Sequence, residues 1–346
     1  MDMMNNTSTD DKFCFLSTIP EEITQFKLSK ISYTMFNTLR CPLKYYINYV
    51  LGIRDYNKYT IIGVITHLCY ETELLKYKNG TYNPDTIFDF VTDDFLIETF
   101  DSQYNKIDFD AIKPVLLKQK PQIFKTVKNY LSKSFIVNLI ELIEKEKYEI
   151  GIEIENKDKY INILNSSLLL YTRSDIILYN DKNVEIYDIK CGDINLDYKN
   201  QLIFYAYNFI NASNLEIPMT RGYIYSAKYK KLKCIFVDEY ETINSDFNSL
   251  INKIDTLYES LGITTARHIK YYIETQIPTF QESKLIDIYN KLIDINGVTL
   301  CKHCKLVYIC PFKLGAICND FTRLISSNNE RLVGLKVTEE QKEIII

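Results

Sequence analysis

The stretch "VEIYDIK", residues 184–190, is the tightest constraint on how this chain can fold. Val184, Ile186 and Ile189 read as buried positions of a strand, yet Asp188 and Lys190 stand among them. Side chains alternate across a strand, so residues two apart share a face. Asp188 and Lys190 therefore point the same way, about 7 Å apart along the strand. Two readings follow. One is a buried ion pair, costly in desolvation and weak as a stability device. The other is half of a site for phosphodiester hydrolysis, which needs a divalent metal, an oriented water and stabilisation of developing negative charge. Carboxylate oxygens suit a hard cation such as Mg²⁺. A lysine beside them can position or activate the water.

That second reading asks for another carboxylate on a neighbouring strand. Asp175 in "TRSDIIL" fits, because the turn "NDKN" (180–183) joins its strand to residues 184–190 and predicts antiparallel pairing. Taken alone, Asp175 reads equally as a turn or edge residue. Gln201 and Tyr205, four apart in "QLIFYAY", share one face of the following helix and can touch a phosphate or hold Lys190. Tyr207 is assigned to the core. Upstream, "GVITHLCYE" offers Gly63 and His67 on an otherwise apolar helix. A lone histidine there is more often a packed residue than a ligand, but it can complete a metal site with two carboxylates.

The surrounding pattern is α/β. Residues 1–28 read as a flexible lead-in, and 28–53 as helix with a break, Ser32 capping the first piece and Pro42 opening the second. Residues 61–78 are helical, and 85–147 read as several helices broken near Pro114 and Pro121. Residues 148–156 alternate in twos, 160–180 and 184–190 read as strands, and 198–213 as helix. A further strand pair is expected at 221–227 and 233–239, mostly helix over 241–294, a cysteine-rich loop at 301–318 and a charged tail from 319 to 346. One domain over 29–318 is expected, with helices in front of, between and behind its strands.

No run of about 18 apolar residues predicts a membrane span, and the polar, acidic start lacks the regions of a secretory signal. The expected location is the cytoplasm, that of the host if the chain is viral. A formal net charge of −4 argues against a surface coated for nucleic acid, though not against a local basic channel. Residues 113–133 and 227–233 are the two lysine-rich segments; solvated helix and turn faces explain them equally well.

Nine cysteines in a reducing compartment favour metal ligation over disulfides. "CKHCKLVYIC" spaces Cys301, Cys304 and Cys310 as C-x2-C-x5-C. Three clustered thiolates suit Zn²⁺ or an iron–sulfur cluster, with His303, Cys318 or the distant Cys41 as fourth ligand. Spacing does not separate these choices.

In order, these residues resemble the PD-(D/E)XK nuclease superfamily in its RecB-like branch. The members most similar carry an iron–sulfur staple: the CRISPR-associated Cas-four nucleases, the AddB nuclease domain and eukaryotic exonuclease V. The shared pattern reads here as "SYTMFNTLRCP" with Cys41, "GVITH" with His67, "RSDIIL" with Asp175, "YDIK" with Asp188 and Lys190, "QLIFY" with Gln201 and Tyr205, and "CKHCKLVYIC". Each motif is weak; six in sequence over residues 32–312 are specific together.

The resemblance implies a restriction-endonuclease-like core, a mixed central sheet flanked by helices, with a helical insertion over about 71–147. It implies Mg²⁺ or Mn²⁺ held by His67, Asp175, Asp188 and the Ile189 backbone carbonyl. Lys190 then positions or activates the attacking water, and Gln201 and Tyr205 hold the site or the DNA backbone. It implies a [4Fe–4S] cluster on Cys41, Cys301, Cys304 and Cys310, joining the N- and C-terminal regions. Cys191 stands where Thr or Ser is commoner, and no P-loop of a helicase motor is present. The expected function is metal-dependent DNA cleavage, single-strand-preferring and exonucleolytic, in recombination, repair, CRISPR adaptation or viral genome processing. Expected partners are DNA ends and a separate helicase or CRISPR adaptation or recombination proteins, with no membrane. The rivals are a non-catalytic DNA-binding scaffold subunit and, lower, a zinc-knuckle RNA-binding protein.

Overall fold

The computed structural model describes residues 30–45, 48, 58–107, 113–192, 198–213 and 219–273. The lead-in 1–28, the cysteines at 301, 304, 310 and 318, and the tail lie outside the described residues. The elements in chain order are β1 (Lys30–Ser32), α1 (Tyr33–Leu39), α2 (Pro42–Tyr45), α3 (Lys58–Lys78), α4 (Asp93–Tyr104), α5 (Lys113–Tyr130) and α6 (Lys133–Glu146). There follow β2 (Glu149–Ile163), β3 (Ser166–Tyr179), β4 (Asn183–Lys190), α7 (Lys199–Ser213), β5 (Met219–Ser226), β6 (Lys231–Asp238), α8 (Tyr240–Ser260) and α9 (Ala266–Tyr271). They fall into two compact units. One comprises Met1–Gly52, Tyr160–Leu169 and Ile251–Gly334; the other comprises Ile53–Lys159, Leu170–Leu250 and Leu335–Ile346.

In the first unit, Ser32 caps α1 by accepting the Met35 N–H at 3.2 Å, and Pro42 opens α2, both as the sequence predicts. The expected single strand over 160–180 is corrected: residues up to Ile163 end β2, and β3 begins at Ser166. Leu164 and Asn165 between them both have positive φ, 45° and 56°, the mark of a type I′ hairpin turn. The usual Asn-Gly signal is missing. Leu164 is buried, and its N–H donates to Asp255 Oδ1 at 3.0 Å, so tertiary contacts hold a turn that local sequence does not announce.

The second unit carries a mixed sheet. β3 and β4 pair antiparallel from Ile176–Tyr187 to Tyr179–Val184. The turn between them is held by Asn180 Oδ1, which accepts from the N–H groups of Lys182 and Asn183. β4 runs parallel to β5, from Asn183–Met219 to Lys190–Ser226. A parallel pair needs a crossover, and α7 supplies it. β6 returns antiparallel to β5. One face of the sheet sends Ile176, Leu178, Tyr187, Ile189 and Tyr225 into a core built from α3 to α6. There Phe135 of α6 stacks on Tyr225 with ring centroids 3.7 Å apart. α7 packs on β4 and β5, and Tyr207 lies flat on Phe247 at 3.8 Å. Covered on both sides, β4 is buried continuously from Val184 to Ile189, the charged Glu185 and Asp188 included.

The expected helix break at Pro121 is also corrected. α5 runs through it, with Pro114 in its first turn. Pro121 sits on an exposed stretch, where the hydrogen bond it removes from the Leu117 carbonyl is replaceable by water. Among the described residues, no helix is long and apolar enough to cross a membrane.

Candidate active site

The candidate site forms where β3 and β4 part. Their ladder ends at Ile176–Tyr187, and the next residue of β3 is Asp175. Its carboxylate takes over the missing rung: Oδ2 accepts the Ile189 N–H at 2.7 Å. His67 reaches the same carboxylate from α3, with Nδ1 3.4 Å from Oδ1. The expected antiparallel neighbourhood of Asp175 and Asp188 is therefore present, and its sequence cue was the short turn.

Asp188 and Lys190 share a face of β4, and the Lys190 ammonium stands 2.6 Å from Asp188 Oδ2. Asp188 is 2% exposed and Lys190 21%. Gln201 Nε2 lies 3.2 Å from Asp188 Oδ1 and 2.6 Å from the Tyr205 hydroxyl oxygen, so α7 braces the carboxylate from behind. The Lys190 ammonium also lies 5.1 Å from the centre of the Tyr198 ring. The lysine is anchored through its backbone as well: its carbonyl accepts the Ala227 N–H at 2.9 Å.

One residue missing from the sequence reading joins the site. Glu153 of β2 offers a carboxylate oxygen that lies, with ligand atoms of His67 and Asp175, in a group all within 4.8 Å of one another. In "EIGIEIEN" Glu153 looks like the solvent side of an alternating strand. Its backbone, however, has φ of 48°, and this departure from regular strand conformation is not readable from alternation. The Arg173 guanidinium pairs with the Glu153 carboxylate.

The electrostatics follow from burying this many charges together. Burial opposes charge on Asp175, but protonated His67, Lys190 and the Ile189 N–H outweigh it and hold its carboxyl below the ordinary range. Burial pushes Asp188 up to about 6, helped by Asp175 and opposed by Lys190 and His67. Burial also opposes the His67 cation, yet Asp175 beside it and Asp188 beyond raise its pKa to about 9. Lys190 is raised too, its burial outweighed by Asp188 and Asp175. Glu153 is raised, by burial first and then by Asp175.

A divalent cation fits this donor set. Carboxylate oxygens with one imidazole are hard ligands suited to Mg²⁺ or Mn²⁺. The ligand atoms that lie within 4.8 Å of one another are those of His67, Glu153 and Asp175; Asp188 Oδ2 is buried against the Lys190 ammonium instead. Elsewhere, Cys41 is half-buried; Cys301, Cys304 and Cys310 lie outside the described residues.

Residues 30–311 match the PD-(D/E)XK nuclease superfamily. Among solved structures, one described as "Crystal structure of SSO0001" aligns over 86% of this chain and 98% of its own, at 13% identity and a TM-score of 0.29. No curated protein matches the chain.

Proposed function

The chain belongs to the PD-(D/E)XK nuclease superfamily, and from that premise we propose that it is a metal-dependent DNA exonuclease of the RecB-like branch, preferring single strands. The observation that carries this reading is the meeting of His67, Asp175, Asp188, Lys190 and Gln201 where β3 and β4 part. His67, Asp175, Asp188 and the Ile189 carbonyl, with Glu153 at hand, would hold a divalent cation, which would supply Lewis-acid stabilisation of the phosphate. The protein's own part is positional. The Ile189 N–H and His67 aim Asp175; Gln201, steadied by Tyr205, aims Asp188. Lys190, protonated at neutral pH, donates to the attacking water and faces the charge that develops on the phosphate.

A non-catalytic scaffold is the competing reading. It explains neither the buried Asp188 nor its paired lysine, groups that are costly to keep without use. The iron–sulfur staple on Cys41, Cys301, Cys304 and Cys310 belongs to this proposal, as do a helicase or CRISPR adaptation or recombination proteins as partners. Digestion of end-labelled single- and double-stranded DNA with Mg²⁺ or Mn²⁺ tests it. Mononucleotides or short products from single strands are expected with the parent chain and none with Asp188→Asn. Equal cleavage by the parent and by Asp188→Asn removes the site assignment.

A further inference from the structure

Two lysine-rich segments stand out in the sequence, and the structure treats them differently. On α5 the lysines meet acids from neighbouring segments: Lys120 pairs with Asp101 at 2.8 Å and Lys128 with Asp93 at 2.7 Å, and Lys133, just beyond, approaches Asp89 at 4.0 Å. Those three cations are matched by acids, whereas Lys118 and Lys125 of α5 have no carboxylate partner among the described residues. The other segment is the turn of the β5–β6 hairpin and the start of β6. Lys228, Lys230, Lys231 and Lys233 are all exposed there. Among the described residues, no carboxylate pairs with Lys230, Lys231 or Lys233.

Two further features of this turn point to one kind of ligand. Tyr229 holds its ring half out into solvent, 50% exposed, with the Lys228 ammonium 5.0 Å from the ring centre. The turn is also built rather than loose. Lys230 adopts φ of 51°, and the Tyr229 N–H donates to Ser226 Oγ, the hydroxyl of a fully buried residue. An exposed aromatic ring beside Lys230, Lys231 and Lys233 is the combination that binds single-stranded nucleic acid, the ring stacking a base and the lysines tracking phosphates.

Position completes the argument. β4 and β5 are parallel and in register, Lys190 opposite Ser226, and the Ala227 N–H bonds the Lys190 carbonyl. The turn is thus the direct continuation of the sheet beyond Lys190, with Tyr229 only two residues further. The turn therefore leaves the same end of the sheet that carries Lys190, one strand away from it.

We propose that the β5–β6 turn, through Tyr229, Lys230, Lys231 and Lys233, is a docking platform that holds single-stranded DNA beside the Lys190 site. It rests on the nuclease reading for its substrate, but it is tested by binding alone. Affinity for a fluorescein-labelled thymidine oligonucleotide is measured with the full chain in Ca²⁺, across a salt series. Lys230→Gln with Lys231→Gln should weaken binding at least tenfold at low salt and lower the slope of log K against log[salt] by about 1.4, two phosphate contacts' worth for a single strand. Tyr229→Ala should weaken binding about tenfold and leave the slope unchanged. Lys118→Gln with Lys125→Gln on α5 removes the same charge and should change little. The proposal is overturned if the α5 pair weakens binding as much as the turn pair, if neither pair does, or if the turn pair weakens binding to a duplex equally. All substituted side chains are exposed, and thermal melting confirms folding. A parent chain that binds through the turn yet cleaves nothing with Mn²⁺ sinks the nuclease reading and leaves the platform standing.

Discussion

The Lys190 ammonium stands 2.6 Å from Asp188 Oδ2 at the end of β4, and the carboxylate it faces is 2% exposed. The pair is asymmetric: Lys190 lowers the pKa of an aspartate that burial and Asp175 raise to about 6. Replacing Lys190 by Met removes the lowering influence and keeps the stem's bulk. Asp188 should then titrate above 6, and DNA cleavage with Mg²⁺ should fall by about 10² or more, the usual scale for losing one positioned donor. Carbon-detected NMR of the Asp188 carboxyl and single-turnover cleavage check the two halves separately. An Asp188 pKa unchanged in Lys190→Met would show that the contact carries no electrostatic weight.

His67 gives a prediction about protons. Its pKa of about 9 means it is protonated at pH 7.5 in the metal-free protein, because Asp175 and Asp188 repay the cost of burying the cation. A metal ligand must be neutral, so Mn²⁺ binding should release close to one proton at that pH. Calorimetry in buffers of different ionisation enthalpy reads this directly, and His67→Gln should abolish most of it. The folded pKa is raised above the unfolded 6.5, so the stabilisation is full below about 6.5 and is lost as pH rises through 9. In EDTA the melting temperature should therefore drop between pH 7 and 9, by the equivalent of about 1–3 kcal/mol. His67→Gln should flatten that drop.

The parts of the site that were legible in the sequence are those written in short range. Asp188 and Lys190 announced themselves as charges two apart in an apolar strand, and Asp175 as a carboxylate one tight turn away. Ser32 and Pro42 carried ordinary helix-start chemistry. What stayed hidden depends on backbone excursions or on distant packing. Glu153 joins the site with φ of 48° inside an apparently regular strand. The Leu164–Asn165 turn is held by Asp255, 91 residues away from Leu164. The pairing of Lys120 and Lys128 was invisible because Asp101 and Asp93 come from another segment. The cysteine cluster lies outside the described residues, and its ligands rest on spacing and resemblance alone.

Glu153 and Arg173 make a third test. Glu153 lies among the candidate metal ligands and is paired with the exposed Arg173. Glu153→Gln should weaken Mn²⁺ binding about tenfold or more, the range seen when a supporting carboxylate of a metal site is lost. Arg173→Gln removes a cation from the edge of the cluster and should tighten Mn²⁺ binding. Titration of free Mn²⁺ by electron paramagnetic resonance reads both shifts without any need for activity. If Glu153→Gln binds Mn²⁺ like the parent, Glu153 serves only to hold Arg173.

Cys41 provides the final test, because it is the one proposed cluster ligand within the described residues, a half-buried cysteine after α1. A [4Fe–4S] cluster linking it to Cys301, Cys304 and Cys310 closes a loop of more than 250 residues. Loop-closure entropy grows slowly with length, so tying such a loop is worth on the order of 5 kcal/mol in chain-entropy models. Protein purified without oxygen should be brown, with a broad charge-transfer band in its visible spectrum. Cys41→Ala should bleach that band, lower the melting temperature and reduce solubility, with activity falling as a consequence. Colourless parent protein carrying one zinc ion per chain would replace the cluster by a zinc site. A Cys41→Ala chain that melts normally but fails to cleave would move the cluster's role from stapling the chain to the chemistry itself.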